Sequence, residues 1–559
     1  MPSGGFWDNG QLLAAVNSGD VNETTINDKV RRVLRAIYKS GMTAEAWEGI
    51  DEMIPAHNQL ALKEGTAGIV LLKNEGSILP LDSNSSVTIA AIGPNLYEAR
   101  TGGGGSSIVS PYYSVPPLQG LQNMAGPNIT ITNCAGSLLN NTSPLAIDPS
   151  YLHVQDMNGN GLNAEYFNNM TLQGTPVLTR VDSTVNFDWA GGSPGSGINA
   201  DNFSARWTGK LVVPTSGLYE IGMNTDDGFR LYLNGQLLIN DWTDHAVRYT
   251  SVSVQLIAGQ QNNLIIEYYE NLGSAVAKLS CHLNDLLTEA INKASAANVA
   301  ILFVGLSSDL EGEGSDKPTM DLPTNQIQLI QAVAAVNPNT IVVIFSGPQV
   351  GMTNWIDNVP AVMQAWYPGQ ECGNAVANIL FGRENPSGKL PVTFIKQWQD
   401  SPCYSNYPGN VYTEGIFVGY RYYDHANVEP LFPFGYGLSY TTFAYSNLSI
   451  DTNSLAANGV FTVSLEVENT GQRAGSEVVQ LYISDIASSV PRPPKELKSF
   501  KKIYLQPGEH KQVLFTLDKS ALSYYDTANS RWYAEPGVFE VQVGSSSRDI
   551  RLSGTFELF

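Results

Sequence analysis

The fold class predicted is multidomain: an α/β sandwich with a mostly parallel sheet, interrupted by one all-β unit and followed by a β-sandwich. Three observations predict it. Over 57–157 and 285–400, short, continuously apolar runs alternate with amphipathic helical stretches, the pattern of a sheet covered on both faces. From 158 to 284 the periodicity is two, with Gly and Asn turns and no helical signal. From about 446 to 559 it is two again. At 559 residues the chain also exceeds what a single core organises.

Taken in order, residues 24–38 place Ile26, Val30, Val33, Leu34, Ile37 and Tyr38 on one helical face. Thr24 or Thr25 can cap its start and Gly41 follows its end. Its apolar stripe calls for a large partner that the neighbouring sequence does not offer. A helix from His57 leads to the run 69–74 (IVLLKN), and apolar strands follow at 87–93, 128–132, 299–306, 340–347 and 361–367. Helical stretches at 285–296, 324–336 and 370–380 separate the later ones. The segment 158–284 reads as an all-β domain inserted in a surface loop. The strands VFTVSLEVENT, VVQLYIS, QVLFTL and VFEVQV near the end suggest an immunoglobulin-like or fibronectin-like sandwich. Residues 401–445 connect it to the α/β domain.

The formal charge of −21 and a pI near 4.7 argue against nucleic acid and anionic membranes as partners and suit a neutral substrate. No apolar run is long enough to span a bilayer. Asn22, Asn84, Asn128, Asn140, Asn141, Asn169, Asn202 and Asn447 each open an N-x-S/T triplet, a density that favours a secreted glycoprotein. No signal peptide stands in the first forty residues, so either the protein is cytoplasmic or its start lies upstream of Met1, the second being the expectation here. Cys134, Cys281, Cys372 and Cys403 fit no zinc pattern. A bridge between Cys372 and Cys403 and free buried thiols stay equally open.

Chemistry is concentrated in the loop 309–323, DLEGEGSDKPTMDLP, directly after an apolar strand. Open α/β sheets bind ligands at the carboxyl ends of strands, and glycosidic cleavage needs a carboxylic acid to protonate the leaving oxygen. Glu311 and Glu313 are the candidates. On pattern alone a solvated acidic loop or an oxygen-rich cation site is the competing reading. The run 100–111, RTGGGGSSIVSP, follows another strand but has neither GK[ST] nor GxGxxG, so it reads as a flexible loop or a backbone approach to a neutral ligand. Trp366 and Tyr367 read as core or, less often, as a sugar-stacking wall. Asp226-Asp227-Gly228 reads as turn chemistry rather than a Ca²⁺ site.

Several segments together resemble the family-3 glycoside hydrolases: VRRVLRAIY, GIVLLKN with LPL, RTGGGGSS, DLEGEGSDKPTMDLP, WYPGQECGNAVANILFGRENPSGKLPVTF and YTEGIFVGYRYYDHANVEPLFPFGYGLSYTTF. The insert, with NTDDGFRLYLNGQLLINDW, looks like a PA14 domain, and the C-terminus is similar to a fibronectin-III-like domain. The resemblance implies a secreted, retaining β-glucosidase without cofactor or metal, acting on terminal glucose of β-glucosides or short β-linked oligosaccharides. It implies that Glu313, with Glu311 as fallback, is the acid/base, and that Arg100, Gly103, Gly104 and Ser106 line the sugar entrance. It also implies that residues 1–56 are the closing helices of a β/α barrel plus linker. Family members carry their aspartate nucleophile in an S-D-W-type segment upstream of the Met-Pro that opens this chain, so no Asp here takes that role. The expectation is an incomplete enzyme, inert alone. The alternatives are a barrel-less carbohydrate-binding protein or one half of a split enzyme whose barrel is a separate chain.

Overall fold

The computed structural model describes residues 11–40, 50–139, 147–314, 316, 317, 319–409, 411–451 and 459–559. The sequons at Asn140 and Asn141, the turn after Met1 and Gly41 lie outside them. In the unit Met1–Ala61, helices span Gln11–Asn17 and Glu23–Lys39. Asn22, not Thr24 or Thr25, caps the second: its Oδ1 accepts the Thr24 N–H at 2.9 Å. The preceding Asn is free to take the extended conformation an N-cap requires, which puts Thr24 inside the helix. The apolar stripe from Val30 to Tyr38 is exposed.

The unit Leu62–Phe559 is built on a six-stranded sheet. Its strands are β1 (Val70–Asn74), β2 (Thr88–Ile92), β3 (Thr130–Cys134), β4 (Val299–Gly305), β5 (Thr340–Phe345) and β6 (Ala361–Gln364), in spatial order β1-β6-β5-β4-β2-β3. All neighbours are parallel except β1, which runs antiparallel to β6. Every residue of β4 and β5 is buried, which is why these strands read as unbroken apolar runs. The strand period of two divides them between two cores. Ala300, Leu302 and Val304 pack beneath helices Asp285–Ser295 and Thr324–Val336. Val299, Ile301 and Phe303 pack on the other face with Leu121 and with Val376 and Ile379 of helix Cys372–Leu380. Leu121 belongs to helix Pro117–Met124, which the sequence reading missed. At eight residues with a glycine in the middle it carries little periodicity, and Gly120 is what lets its backbone lie against that of Gly373.

Between β3 and helix Asp285–Ser295 the chain forms two antiparallel sheets. One comprises strands Leu162–Phe167, Leu178–Asp182, Phe203–Leu211, Phe229–Leu233, Gln236–Asp241 and Asn262–Glu270, with Leu152–His153 added beside Phe203–Leu211. The other holds Asn186–Ala190, Gly217–Asp226, Arg248–Leu256 and Ala275–Leu283. Their shared core contains Tyr166, Phe203, Trp207, Phe229 and Tyr268. Ile147 and Leu152 already belong to it, so the β unit begins before residue 158; a two-residue strand leaves no periodic trace. The last sandwich packs Phe443–Asp451, Val460–Asn469 and His510–Asp518 against Gly475–Asp485, Glu496–Leu505, Gly537–Gly544 and Ile550–Leu558.

All four cysteines are free. Cys372 is buried and Cys403 exposed, and burial pushes the Cys372 thiol up to about 12, leaving it protonated and inert. Asn22, Asn84, Asn128, Asn202 and Asn447 are exposed and Asn169 is half-buried. No helix among the described residues is long and apolar enough to cross a membrane.

Asp226, Asp227 and Glu270 come together in the β unit, with ligand atoms all within 4.8 Å. Both Asp227 oxygens are occupied by backbone N–H groups, those of His245 at 2.8 Å and Asn271 at 2.9 Å. These bonds tie the segments around His245 and Asn271 to the Asp226-Asp227 turn. Glu270 is fully buried, accepts the Tyr268 hydroxyl at 2.9 Å and has no partner for Oε1 among the described residues. Burial, reinforced by the two aspartates, pushes its carboxyl up to about 8, so a proton on Glu270 relieves the repulsion. Below the unfolded value of 4.5 both states are protonated and Glu270 contributes nothing. As pH rises from there to about 8, only the unfolded state has released the proton, and stability falls. Glu270→Gln is expected to flatten the decline in unfolding temperature across that window. Parallel declines in both proteins would show that Glu270 holds no proton.

Candidate active site

Loops after β2, β4, β5 and β6 gather at the carboxyl ends of adjacent strands, where open α/β sheets bind ligands. The acid loop is held at its base by buried Gln326, whose Oε1 accepts the Gly305 N–H at 2.8 Å while its Nε2 donates to the Gly305 carbonyl at 2.9 Å. The two loops marked in the sequence then dock on one another. The Gly104 N–H donates to the Glu311 carbonyl at 3.1 Å. The Ser106 N–H donates to Glu313 Oε2 at 3.1 Å, and the Ser106 hydroxyl donates to the same oxygen. Gly105 sits at φ +74°, and a Cβ there would press on the Glu313 backbone, so the docking requires glycine.

The two glutamates have different surroundings. Glu311 is half-buried. Its carboxylate accepts the Gly347 N–H at 3.2 Å and the Tyr367 hydroxyl, and it lies 3.1 Å from where a Cβ on Gly103 would stand. It therefore joins the loops after β4, β5 and β6 to the glycine loop. Glu313 is exposed. Its carboxyl lies below the usual range because the Ser106 hydroxyl and N–H stabilise the carboxylate. A general acid needs the opposite shift, which enclosure supplies. Ser106→Ala removes the hydroxyl and keeps the N–H, so it is expected to raise the Glu313 carboxyl part of the way toward the ordinary range, read as an upward shift in its side-chain carbon NMR titration; an unchanged midpoint would remove the hydroxyl as a cause.

Arg100 is turned to its own loop base: Nε donates to Asn95 at 2.7 Å and Nη2 pairs with Glu98 at 3.4 Å. Trp366 is partly buried, packs edge-on to Phe394 and donates to the Gly68 carbonyl. The bond from Tyr367 to Glu311 was not legible in sequence, nor was the Tyr407 hydroxyl at 2.6 Å from Asp316. The one available signal was that Tyr367 lies inside the WYPGQE segment and Tyr407 shortly before the YTEG segment.

The description "Glycosyl hydrolase family 3 C-terminal domain" matches residues 69–440, and "Fibronectin type III-like domain" matches 477–547. A β-glucosidase of Rhizobium radiobacter is 34% identical, the alignment covering all of this chain and 70% of the relative. A probable β-glucosidase K of Emericella nidulans is 34% identical over 98% of this chain and 68% of its own length. Among solved structures, a Kluyveromyces marxianus β-glucosidase in complex with glucose superposes with a TM-score of 0.63 at 31% identity, covering 98% of this chain and 69% of that one. The chain belongs to glycosyl hydrolase family 3.

Proposed function

We propose that this chain supplies the acid/base half of a retaining β-glucosidase that releases terminal glucose from β-glucosides or short β-linked oligosaccharides. A β-glucosidase-type hydrolase is the activity its relatives share. The observation that carries the finer reading is the exposed Glu313 carboxylate, held by Ser106 at the carboxyl ends of the parallel strands. Retaining hydrolysis requires a second carboxylate ~5 Å away as nucleophile. The reading takes that nucleophile from a β/α barrel, as the family resemblance implies.

The surface around Glu313 suits such a partner. The glycine loop runs into Ile108 and Tyr112, 66% and 73% exposed, and the segment that Tyr407 ties to Asp316 carries Val411 and Tyr412, 65% and 80% exposed. Closure by a barrel would bury these side chains and expel water from Glu313, raising its carboxyl toward the range of a working acid. Glu313 then protonates the leaving oxygen and afterwards draws the proton from the attacking water. Gly103, Gly104 and Ser106 line the sugar entrance, Glu311 orders the loop, and Arg100 braces it. No cofactor is called for. The β unit of 147–284 is read as a PA14 domain narrowing the aglycone side, and the exposed sequons support a secreted glycoprotein.

The deglycosylated native protein, weighed intact, is expected to exceed 60.5 kDa by a barrel's worth, about 250 residues. A mass equal to this chain, with no barrel polypeptide co-purifying, would favour the second reading, a carbohydrate-binding protein. That reading draws its support from the unenclosed, ionised state of Glu313.

A further inference from the structure

A cavity of about 740 Å³ lies between the strands Gln236–Asp241 and Arg248–Leu256 of the β unit and the 310–327 segment of the α/β domain. That volume is within the range of small-molecule sites, which concentrate at seams between domains. Leu310 and Ile327 give it apolar wall, and Asn240 offers an amide. Its charged groups cancel. Arg248 pairs with Asp241, its Nε donating at 3.1 Å, and Lys317 and Asp321 each feel the opposite charge of the other. A phosphate would meet Asp241 and Asp321, and a cation would meet Arg248 and Lys317. A neutral ligand with hydroxyl edges and C–H faces meets a matching surface.

Lys317 and Asp321 are also half-buried. Among the described residues, the Lys317 ammonium makes one long hydrogen bond, 3.4 Å to the Met320 carbonyl. Burial lowers the lysine's pKa and raises that of Asp321. Ligand hydroxyls, which donate and accept, can bond to both groups.

The same loop serves two places. Leu310, Lys317 and Asp321 line the cavity, while the intervening Glu311 and Glu313 bond to Gly347, Tyr367 and Ser106. We propose that the cavity is a second carbohydrate site, taking a neutral saccharide of one or two rings and, when filled, stiffening the 309–323 loop that presents Glu313. The binding stands independently of the role assigned to Glu313; its consequence for hydrolysis rests on that role.

The test uses the full chain with cellobiose as probe, followed by calorimetry and by hydrogen exchange of the 309–327 segment. Binding is expected, with slowed exchange in that segment. Lys317→Met and Asn240→Ala should each weaken it about tenfold or more and abolish the protection, while Glu313→Gln leaves the affinity unchanged. Matching circular-dichroism melts establish that the variants are folded, and two independent variants guard against one that is not. The absence of heat and protection up to the solubility of cellobiose overturns the proposal. So does full affinity in both cavity variants, or loss of binding in Glu313→Gln alone, which would put the sugar in the reaction site.

Discussion

Glu313→Gln, made in the protein joined to the barrel proposed above, is expected to lower kcat for alkyl β-glucosides by about 10²–10⁴-fold, the usual worth of a positioned proton donor. Glutamine keeps the shape and can still accept from Ser106, so the loop docking survives and the loss reports the proton alone. The defect in kcat/KM, which reports the first step, should shrink for aryl glucosides whose leaving group departs without protonation, while kcat stays low because the attacking water still needs the base. Glu311→Gln provides the contrast. It weakens the acceptor for Tyr367 and Gly347, misplacing the loop, and should depress aryl and alkyl substrates alike. A leaving-group dependence in Glu311→Gln and none in Glu313→Gln would reverse the assignment. An unchanged kcat in both would remove this loop from the chemistry.

Trp207→Ala is expected to destabilise the inserted β unit by about 3–5 kcal/mol, the range for removing a buried aromatic side chain. Trp207 is fully buried, meets Tyr166 edge-on at 6.0 Å and stacks with Phe187 at 6.1 Å. Its indole N–H donates at 2.8 Å to Asp182, a carboxylate only 7% exposed. The substitution therefore opens a cavity and also leaves a buried carboxylate one donor short, with Tyr166 and Arg180 its remaining side-chain donors among the described residues. The β unit has a core of its own, distinct from the two cores of the six-stranded sheet. The loss should accordingly appear as a separate early transition, with amide exchange rising in Phe203–Leu211 and Asn262–Glu270 and not in β4 or β5. Trp207→Phe, which keeps most of the volume, should recover part of it. A change below about 1 kcal/mol, typical of surface positions, or equal loosening of β4, would show that Trp207 does not anchor an independent core.

Much of the fold was written locally. The strands β4 and β5 are buried at every position and almost wholly apolar because both sheet faces are covered, and such runs are conspicuous between helices of ordinary period. The acid loop was legible for the same reason, standing directly after the most apolar run in the chain. Helix Pro117–Met124 was hidden because its existence depends on the Gly120–Gly373 approach, a contact between segments far apart in sequence. The strand Leu152–His153 was hidden because two residues carry no period. The resemblance singled out Glu313 from Glu311 and grouped the glycine loop with it, but not the bonds that separate their roles.

By itself, then, the sequence determined the order of the layers, the two period-two units and the loops that carry polar chemistry, because each depends on residues within one turn or one strand of each other. Only the tertiary structure decided that Ser106 holds Glu313 while Tyr367 and Gly347 hold Glu311, that Glu270 shares a cluster with Asp226 and Asp227, and that a cavity lies beside the acid loop. Those features depend on distances between residues tens to hundreds of positions apart. Hydrogen bonds, burial and charge repulsion act across space, and no local periodicity records them.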